Sequence, residues 1–358
     1  MTNHRSGRLT RAVAGAMNTM KDRISKRMRT YVAIAVLATL TTLLAQGNVG
    51  AQEESALTVE SEEHHVHIFP TVSKAAERAD IGTSGAALTY HGGPVMTKAN
   101  TYAIFWVPSN LQTGAATSMS SHYQQVQTAL LSEYPGHGID NNNTQYYVRT
   151  FLGWAWVQNS GGLAGSYLDT SPFPPSGCSD PATPGNCITD AQIQAEIHKV
   201  MSLKGWGGGL NNLFLLFTSS DEGSEDSFGD LAYVEMCAYH GYFFSGSTPV
   251  IYGDIPYGNT SVCQLPGTPS PNGDPVADTA ATQVSHEVTE AITDPELNAW
   301  TTASGSEIGD LCAYVYGPNT WDSGNANQDW AISSLMPAFF ELQEEYDNHA
   351  GGCVQIGP

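Results

Sequence analysis

The residues with the clearest chemical potential lie in the segment SHEVTEAITDP at positions 285–295. His286 and Glu287 open it as the paired histidine and glutamate of a zinc-protease helix do, but Glu290 stands where a second histidine is usual. Residues four apart project from the same face of an α-helix, so His286 and Glu290 could share one ion. The segment therefore raises the hypothesis of a metal site in which a carboxylate replaces an imidazole.

A helix over residues 278–294, capped by Asp278 and ended by the following proline, is predicted to carry this segment. Its apolar residues fall on one face, and His286, Glu290 and Asp294 form a polar stripe on the opposite face. Like-charge pairs on such a stripe each cost roughly a few tenths of a kcal/mol. Neither the helix nor the chain after it contains a Lys or Arg. The stripe faces either water or a metal ion, and a divalent cation would turn the repulsion into attraction.

A catalytic zinc ion needs three protein ligands and one open position for water. The helix supplies His286 and Glu290, and Glu307 in the later segment SGSEIGDLC is predicted as the third ligand. Glu287 is predicted as the catalytic base, which takes the proton of the activated water and passes it to the leaving group. The predicted activity is hydrolysis, most specifically that of a zinc peptidase.

Three further side chains are alternative ligands or supports for the ligands: Asp294, Asp310 and His240. Asp310 is expected to orient His286, because a metal-bound imidazole usually bonds a carboxylate through its other nitrogen. Ca²⁺ is a second candidate cation, since the chain is rich in carboxylates. A solvated helix face without any ion is the alternative to the whole site.

The first 51 residues predict a signal peptide. Eight Lys and Arg precede an apolar run from Tyr31 to Ala45, and Val49 and Ala51 stand where a signal peptidase reads the chain. The run is short and interrupted by Thr, which argues against a good membrane span and leaves an uncleaved anchor as the alternative. We therefore expect a secreted protein, cleaved near Ala51, with no membrane span in the mature chain.

Removal of the signal peptide would leave 6 Lys and Arg against 34 Asp and Glu, a net charge of −28. Nucleic acid and anionic lipid surfaces are therefore poor partners, because both carry the same sign of charge. Cations are plausible ligands for such a chain, although solubility alone also accounts for the acidity.

Six cysteines in the predicted mature chain indicate up to three disulfides in an oxidising compartment. They are Cys178, Cys187, Cys237, Cys263, Cys312 and Cys353. The first two bracket a Pro-rich loop and form the easiest pair to predict. Pairing in sequence order would join the others as Cys237–Cys263 and Cys312–Cys353, which is one of fifteen connectivities.

Residues 52–86 are polar and rich in Glu, and they are predicted to be a flexible leader or propeptide. The histidines of this segment, His64, His65 and His67, are interpreted as part of a mobile polar tail and not as a metal site. Residues 87–358 are predicted to form one globular domain.

The pattern of elements in this domain predicts an α/β fold, with α+β as the alternative. Strands are expected at 101–108, 144–158 and 211–220, and helices at 118–133, 189–203 and about 334–347. The second helix is expected to begin at Thr189 or Asp190. A strand, a helix, further strands and then the His-Glu helix follow the order of the zincin upper domain. A single zincin-like, disulfide-stapled domain of two or three layers around a mixed sheet is therefore expected.

Several blocks of the chain carry a family resemblance: LTYHGGPVM at 88–96, the strand TYAIFWVP after it, MCAYHGYF, the loop around Cys263, and the region of AITDP. Together they resemble the phosphate-induced protein 1 or Exordium-like family over about residues 85–355. The resemblance implies a secreted, extracellular or cell-wall protein, linked in plants to growth and brassinosteroid-related responses, with no settled biochemical activity. The segment 284–295 departs from the plant pattern, because similar plant segments end in T-N-P and lack the His-Glu pair.

The resemblance thus implies an alternative to hydrolysis. In that alternative the protein is a non-catalytic extracellular protein that binds a protein partner, a cell-wall component or a polysaccharide surface.

Overall fold

A six-stranded mixed sheet forms the centre of the fold in the computed structural model of the chain, which describes residues 66–78, 81, 87–317 and 340–358. All of these residues fall in one unit, Glu63–Pro358. The predicted signal peptide and residues 52–65 of the predicted leader, with His64 and His65, lie outside the described residues.

The strands of the described chain fall into the central sheet and four two-stranded ladders. They are β1 (Val66–Pro70), β2 (Thr89–Tyr90), β3 (Ala99–Trp106), β4 (Tyr147–Thr150), β5 (Gly153–Trp156), β6 (Gly161–Asp169), β7 (Cys187–Thr189), β8 (Asn212–Thr218), β9 (Gly223–Glu225), β10 (Met236–Ser245), β11 (Thr248–Ile255), β12 (Trp300–Thr301), β13 (Glu345–Asp347) and β14 (Gly352–Val354).

The helices of the described chain differ widely in length. They are α1 (Val72–Ala75), α2 (Ser121–Glu133), α3 (Gly138–Asn141), α4 (Asp190–Lys204) and α5 (Pro275–Thr293), with 3-10 turns at Asn142–Gln145 and Asp310–Cys312.

The central sheet has the strand order β1-β10-β11-β8-β3-β6. Strands β11, β8, β3 and β6 run parallel to one another, whereas β10 is antiparallel to β11 and β1 is antiparallel to β10. The two continuous apolar runs form β3 and β8 in the middle of the sheet, as predicted. Such runs suit strands that are covered on both faces.

Helices cover both faces of the sheet, which gives three layers. Leu213 and Leu215 of β8 belong to the same buried cluster as Val284 of α5 and residues of α2. Phe214, between them, belongs to the cluster on the other face with Ile193 and its neighbours on α4. Alternate residues of a strand point to opposite faces, so one strand contributes to both cores. The predicted mixed α/β architecture is confirmed.

Helix α5 begins earlier than the sequence predicted. Its N-cap is Asp274, whose side chain accepts a hydrogen bond from the backbone N–H of Ala277, and Pro275 occupies the first turn. Asp278, the predicted cap, lies within the helix and accepts hydrogen bonds from Ser270 and Asn272. Helix α4 begins as predicted, with Thr189 as its N-cap.

The polar stripe of α5 does not face water. Every residue from Ala277 to Thr293 is buried, on the polar side as well as the apolar side. The alternative of a solvated amphipathic face is therefore wrong. The strands and loops that cover this stripe determine its chemistry.

Strand β1 departs from the predicted flexible leader. Val66–Pro70 pairs with β10 at the edge of the central sheet, and Phe69 is fully buried. Its ring lies 4.4 Å from the His286 ring of α5 and 4.9 Å from the ring of Tyr314. The polar composition around this strand obscured a short alternating segment, VHIFP, that adds one strand to the fold.

Two other local predictions need correction. The segment 144–158 is a hairpin of β4 and β5 and not a single strand, because Gly153 adopts a positive φ of 125° where the chain turns back. Within the predicted last helix, Glu345–Asp347 is strand β13, paired with β14, and residues 334–339 lie outside the described residues.

Three disulfides staple the fold, in the sequence-order pairing: Cys178–Cys187, Cys237–Cys263 and Cys312–Cys353. The second joins β10 to the loop after β11, and the third joins the 3-10 turn at Asp310–Cys312 to β14. Among the described residues, no helix combines the length and the apolar character that a membrane crossing requires.

Replacement of Phe69 by Ala tests whether β1 belongs to the folded core. Phe69→Ala is expected to lower the free energy of unfolding by about 3–5 kcal/mol, because it leaves a cavity between β1 and α5. Phe151→Ala is the matched control at a fully exposed position and is expected to change stability by less than about 0.5 kcal/mol. Denaturant unfolding measures both, and equal stabilities of the two variants would place β1 outside the core.

Candidate metal centre

The polar stripe of α5 meets two histidines from the edge of the central sheet. His240 on β10 and His67 on β1 lie directly opposite each other in the antiparallel register, with ring centroids 6.1 Å apart. His240 is fully buried, whereas the side chain of His67 is 23% exposed. The sheet therefore contributes one enclosed imidazole and one that reaches solvent.

Two carboxylates lie beside the Nε2 atom of His240. Glu290 Oε2 is 3.6 Å away and Glu307 Oε2 is 3.3 Å away. Ligands of a tetrahedral zinc ion bound at about 2.0–2.2 Å are separated by similar distances. Neither carboxylate oxygen, and neither ring nitrogen of His240, has a hydrogen-bond partner among the described residues.

Glu287 is the most isolated carboxylate of the stripe. It is fully buried beneath the sheet, and neither of its oxygens has a side-chain hydrogen-bond partner within the described part of the chain, although the backbone of Phe69 favours its ionised form. Burial raises its pKa well above the usual range, and the nearby charges of Glu290 and Asp310 raise it further. A buried carboxyl group held in this way is expected to gain a proton or to neighbour a cation.

His286 is held by a neighbouring amide. The Gln343 side-chain nitrogen lies 3.1 Å from His286 Nδ1 and also donates to the backbone oxygen of Gly309 at 2.9 Å. An amide that donates to Nδ1 places the ring proton on Nε2, which faces Glu290 Oε1 at 3.2 Å. Glu290 Oε1 accepts its hydrogen bond from the backbone N–H of Asp310 at 3.0 Å, and this bond orients the carboxylate.

Asp310 lies at the more exposed side of the cluster. Its carboxylate contacts His67 Nε2 and Arg78 Nη1, and one of its oxygens accepts the backbone N–H of Glu307. Burial alone would raise the pKa of Asp310, but His67 and Arg78 hold it far below its usual range. Conversely, burial would lower the pKa of His67, and Asp310 raises it to about 9.

Asp294 serves the end of α5. One of its oxygens accepts the backbone N–H groups of Asn298 and Ala299, at 2.6 and 2.7 Å. Burial raises its pKa to about 6. These bonds fix the turn after the helix, so Asp294 has a structural task that its position on the polar stripe did not indicate.

The donor atoms of this cluster fit a metal ion. Two groups of three side chains have ligand atoms within 4.8 Å of one another: His240, Glu287 and Glu290, and His67, Glu290 and Asp310. In the first group, all three side chains are fully buried and each has an unpaired nitrogen or oxygen. Unpaired buried polar atoms are costly, and a cation bound between them would satisfy them together.

All seven side chains that the sequence offered for the site meet in this cluster, namely His240, His286, Glu287, Glu290, Asp294, Glu307 and Asp310. The trio predicted as ligands, His286, Glu290 and Glu307, is not one of the converging groups among the described residues. It stays a prediction.

Four further residues of the cluster were missed: His67, Arg78, Gln343 and Glu345. The alternation of VHIFP could have placed His67 on a strand. No local signal distinguishes the others, since they approach the cluster through long-range contacts.

The fold and this cluster define a disulfide-bonded mixed α/β protein with a buried histidine–carboxylate centre. No known family profile matches the chain, and no solved structure matches it. The chain is similar to Protein EXORDIUM-like 3 of Arabidopsis thaliana, with 30% identity over a 160-residue alignment that covers 37% of this chain and 45% of the plant protein. It thus matches less than half the length of that relative. The similarity supports the Exordium-like resemblance.

Replacement of Gly309 by Ala tests how closely the cluster is packed. A Cβ atom at Gly309 would lie 2.7 Å from His286 Nδ1 and 3.0 Å from Glu290 Oε1, although its φ of −74° suits any residue. Gly309→Ala is therefore expected to lower the free energy of unfolding by about 1–3 kcal/mol for steric reasons alone.

Gly207→Ala is the matched control, because an added Cβ there meets nothing within 4 Å. It is expected to change stability by less than about 0.5 kcal/mol in the same denaturant titration. If Gly309→Ala is as stable as this control, His286 and Glu290 are not held at the observed positions.

Proposed function

We propose that the protein is a metal-dependent hydrolase, in its most specific form a secreted zinc peptidase. The single observation that carries this proposal is a set of three buried donor atoms without a hydrogen-bond partner among the described residues: His240 Nε2, with Glu290 Oε2 and Glu307 Oε2 at 3.6 and 3.3 Å from it. Three disulfides are compatible with an oxidising extracellular location.

His240, Glu290 and Glu307 are the proposed ligands. His240 takes the place that the sequence suggested for His286, because its Nε2 faces two carboxylates at 3.3 and 3.6 Å. The backbone N–H of Asp310 then keeps Glu290 in position through Oε1. An imidazole with carboxylates favours a transition ion such as zinc over Ca²⁺, which prefers six to eight oxygen ligands.

Glu287 is the proposed general base. It neighbours Glu290 on the helix, and burial raises its pKa well above the usual range of a carboxyl group, which makes it a stronger proton acceptor than an exposed carboxylate. A bound zinc ion would polarise a carbonyl group and make water more acidic. Glu287 would take the proton released there and return it to the leaving group.

A zincin-like arrangement is part of this proposal. Its support is the order of elements, in which the helix with the His-Glu pair packs against a mixed sheet whose edge carries the partner histidines. Similarity of fold does not by itself indicate an activity, so the proposal of hydrolysis depends on the histidine–carboxylate cluster.

Metal analysis of the purified secreted protein is the first test. Bound zinc is expected, and His240→Ala is expected to remove the ion held at His240 Nε2. His198→Ala is the control, because His198 is exposed on α4 and contacts Ser245 instead of the cluster. A metal-free protein whose stability does not change in His240→Ala would refute the metal site.

Hydrolysis is tested separately with Glu287→Gln, which preserves the size of the side chain. We expect this variant to keep its zinc and to lose about 10²–10⁴-fold of the activity on an unfolded protein substrate, followed by mass spectrometry of the peptides. Loss of zinc would make Glu287 a ligand, and unchanged activity would exclude it as the base.

A second candidate is a non-catalytic extracellular protein that binds a polysaccharide, with a structural cation. Two observations favour it. The proposed ligands are at most 1% exposed, and enclosed sites are typical of structural metals. The β4–β5 hairpin also exposes Phe151 and Leu152 almost completely at its tip.

The aromatic face of this hairpin suits a neutral sugar polymer. Trp154 and Trp156 point to the same side of β5, are each about half exposed, and pack edge-on against Tyr147 at 4.6 and 4.9 Å. Sugar rings can stack on indole faces of this kind, whereas the acidity of the chain disfavours anionic polymers.

The double variant Trp154→Ala and Trp156→Ala tests this candidate. It is expected to weaken retention on insoluble neutral cell-wall polysaccharide about ten-fold, since each lost ring contact contributes roughly 0.5–1.5 kcal/mol. Phe244→Ala, an exposed aromatic residue on β10, is the control and should bind as the wild type does. A wild-type protein that is not retained would contradict sugar binding.

A further inference from the structure

The histidine–carboxylate cluster continues past the site proposed above towards the surface at β1. We propose that the centre holds two divalent transition-metal cations, one on the His240 side and one on the His67 side, with Glu290 and Glu307 between them. The inference depends on the proposed metal site and adds a second ion to it.

The two histidines of the sheet are paired around one carboxylate. His67 and His240 face each other across two antiparallel strands, and Glu307 lies between them. Its Oε1 atom is 3.7 Å from His67 Nδ1, and its Oε2 atom is 3.3 Å from His240 Nε2. Each oxygen of this carboxylate therefore faces a different imidazole.

The two converging groups of possible metal ligands share Glu290. Glu290 belongs to the group of His240 and Glu287 and also to the group of His67 and Asp310. A carboxylate has two oxygens and can contact one ion through each. Two-metal centres hold their ions about 3.5–4 Å apart, a distance that one shared carboxylate can span.

The buried cluster carries more carboxyl groups than positively charged side chains. Six carboxyl groups of the cluster are at most 1% exposed: Glu287, Glu290, Asp294, Glu307, Asp310 and Glu345. Among the described residues, the side chains that bring positive charge to them are Arg78 and protonated His67. For six ionised carboxylates, one divalent ion with Arg78 and an imidazolium at His67 would offset four negative charges, whereas two divalent ions with Arg78, and His67 neutral as a ligand, would offset five. Uncompensated buried charge is costly.

The unpaired donors provide evidence beyond acidity. Glu290 Oε2, Glu307 Oε2 and His240 Nε2 are buried without a hydrogen-bond partner in the described chain. Asp310 is held on one oxygen by Arg78, and its other oxygen accepts the backbone N–H of Glu307 and is directed at His67. Arg78 is then the positioning residue for the second ion.

The donor chemistry limits the kind of cation. The cluster offers imidazole nitrogens and carboxylate oxygens, and all six cysteines are in disulfides, which leaves no thiolate. Such donors suit Zn²⁺, Mn²⁺ or Fe²⁺. The second ion lies beside the partly exposed His67, so it should exchange with solvent faster than the ion at the buried His240.

Metal stoichiometry of the full secreted protein tests the inference. After removal of metal with a chelator and reloading with Zn²⁺, the wild type is expected to bind about two ions per chain, and His67→Ala about one. His198→Ala, the exposed control, should still bind two. Near-UV circular dichroism of the same samples confirms that each variant is folded.

Loading the wild type with Mn²⁺ provides a readout that needs no variant. Two ions that share carboxylates are expected to give an exchange-coupled electron paramagnetic resonance spectrum, and one isolated ion an uncoupled spectrum. One ion per chain, uncoupled and retained in His67→Ala, would overturn the second site and leave the proposed metal site intact. No bound ion in the wild type would overturn both.

Discussion

The burial of a polar helix face is the constraint on which the rest of the structure depends. Helix α5 places His286, Glu287 and Glu290 in the interior, where an ionised carboxylate without a partner is expensive. The elements that cover this face of α5 place polar or charged side chains against it. Strands β1 and β10 bring imidazoles to the face, and the 3-10 turn at Asp310–Cys312 brings a carboxylate that is paired with Arg78. A divalent cation would complete the compensation that these groups begin.

The elements that form the centre are far apart in sequence, and disulfides hold two of them. Cys237–Cys263 anchors β10 beside His240, and Cys312–Cys353 anchors the turn that carries Asp310. A cross-link lowers the entropy of the unfolded chain and keeps such segments together. The same scaffold would serve a catalytic ion, which requires access for a substrate, or a structural ion, which requires enclosure. His240 is fully buried, as a structural ion requires, and His67 on the other side of the cluster is partly exposed, as access for a substrate requires.

The similarity to an Exordium-like protein is compatible with either use of the centre. It covers less than half of each chain, so it gives the chain a relative without assigning an activity. The histidine–carboxylate cluster and the aromatic hairpin of β4 and β5 are separate features of this chain.

Local sequence determined much of this protein. Continuous apolar runs specified β3 and β8, capping residues specified the start of α4, and the order of the cysteines agreed with the disulfides. The spacing of His286 and Glu290 placed them correctly on one stripe, because helical periodicity is a local property, whereas Asp294 lies just past the last helical residue with non-helical backbone angles. The same periodicity does not determine whether the stripe faces water. The structure buries it, so the alternative of a solvated helix face is wrong.

Only the tertiary structure decided which groups surround the stripe. His67 entered the centre because β1 pairs with β10, and Gln343 entered because the C-terminal segment passes beside His286. Strand pairing and chain packing join residues that are hundreds of positions apart, and no periodicity within one segment encodes such contacts. The sequence by itself therefore identified the helix and its donors, and the fold supplied the second histidine and the enclosure that make those donors a candidate centre.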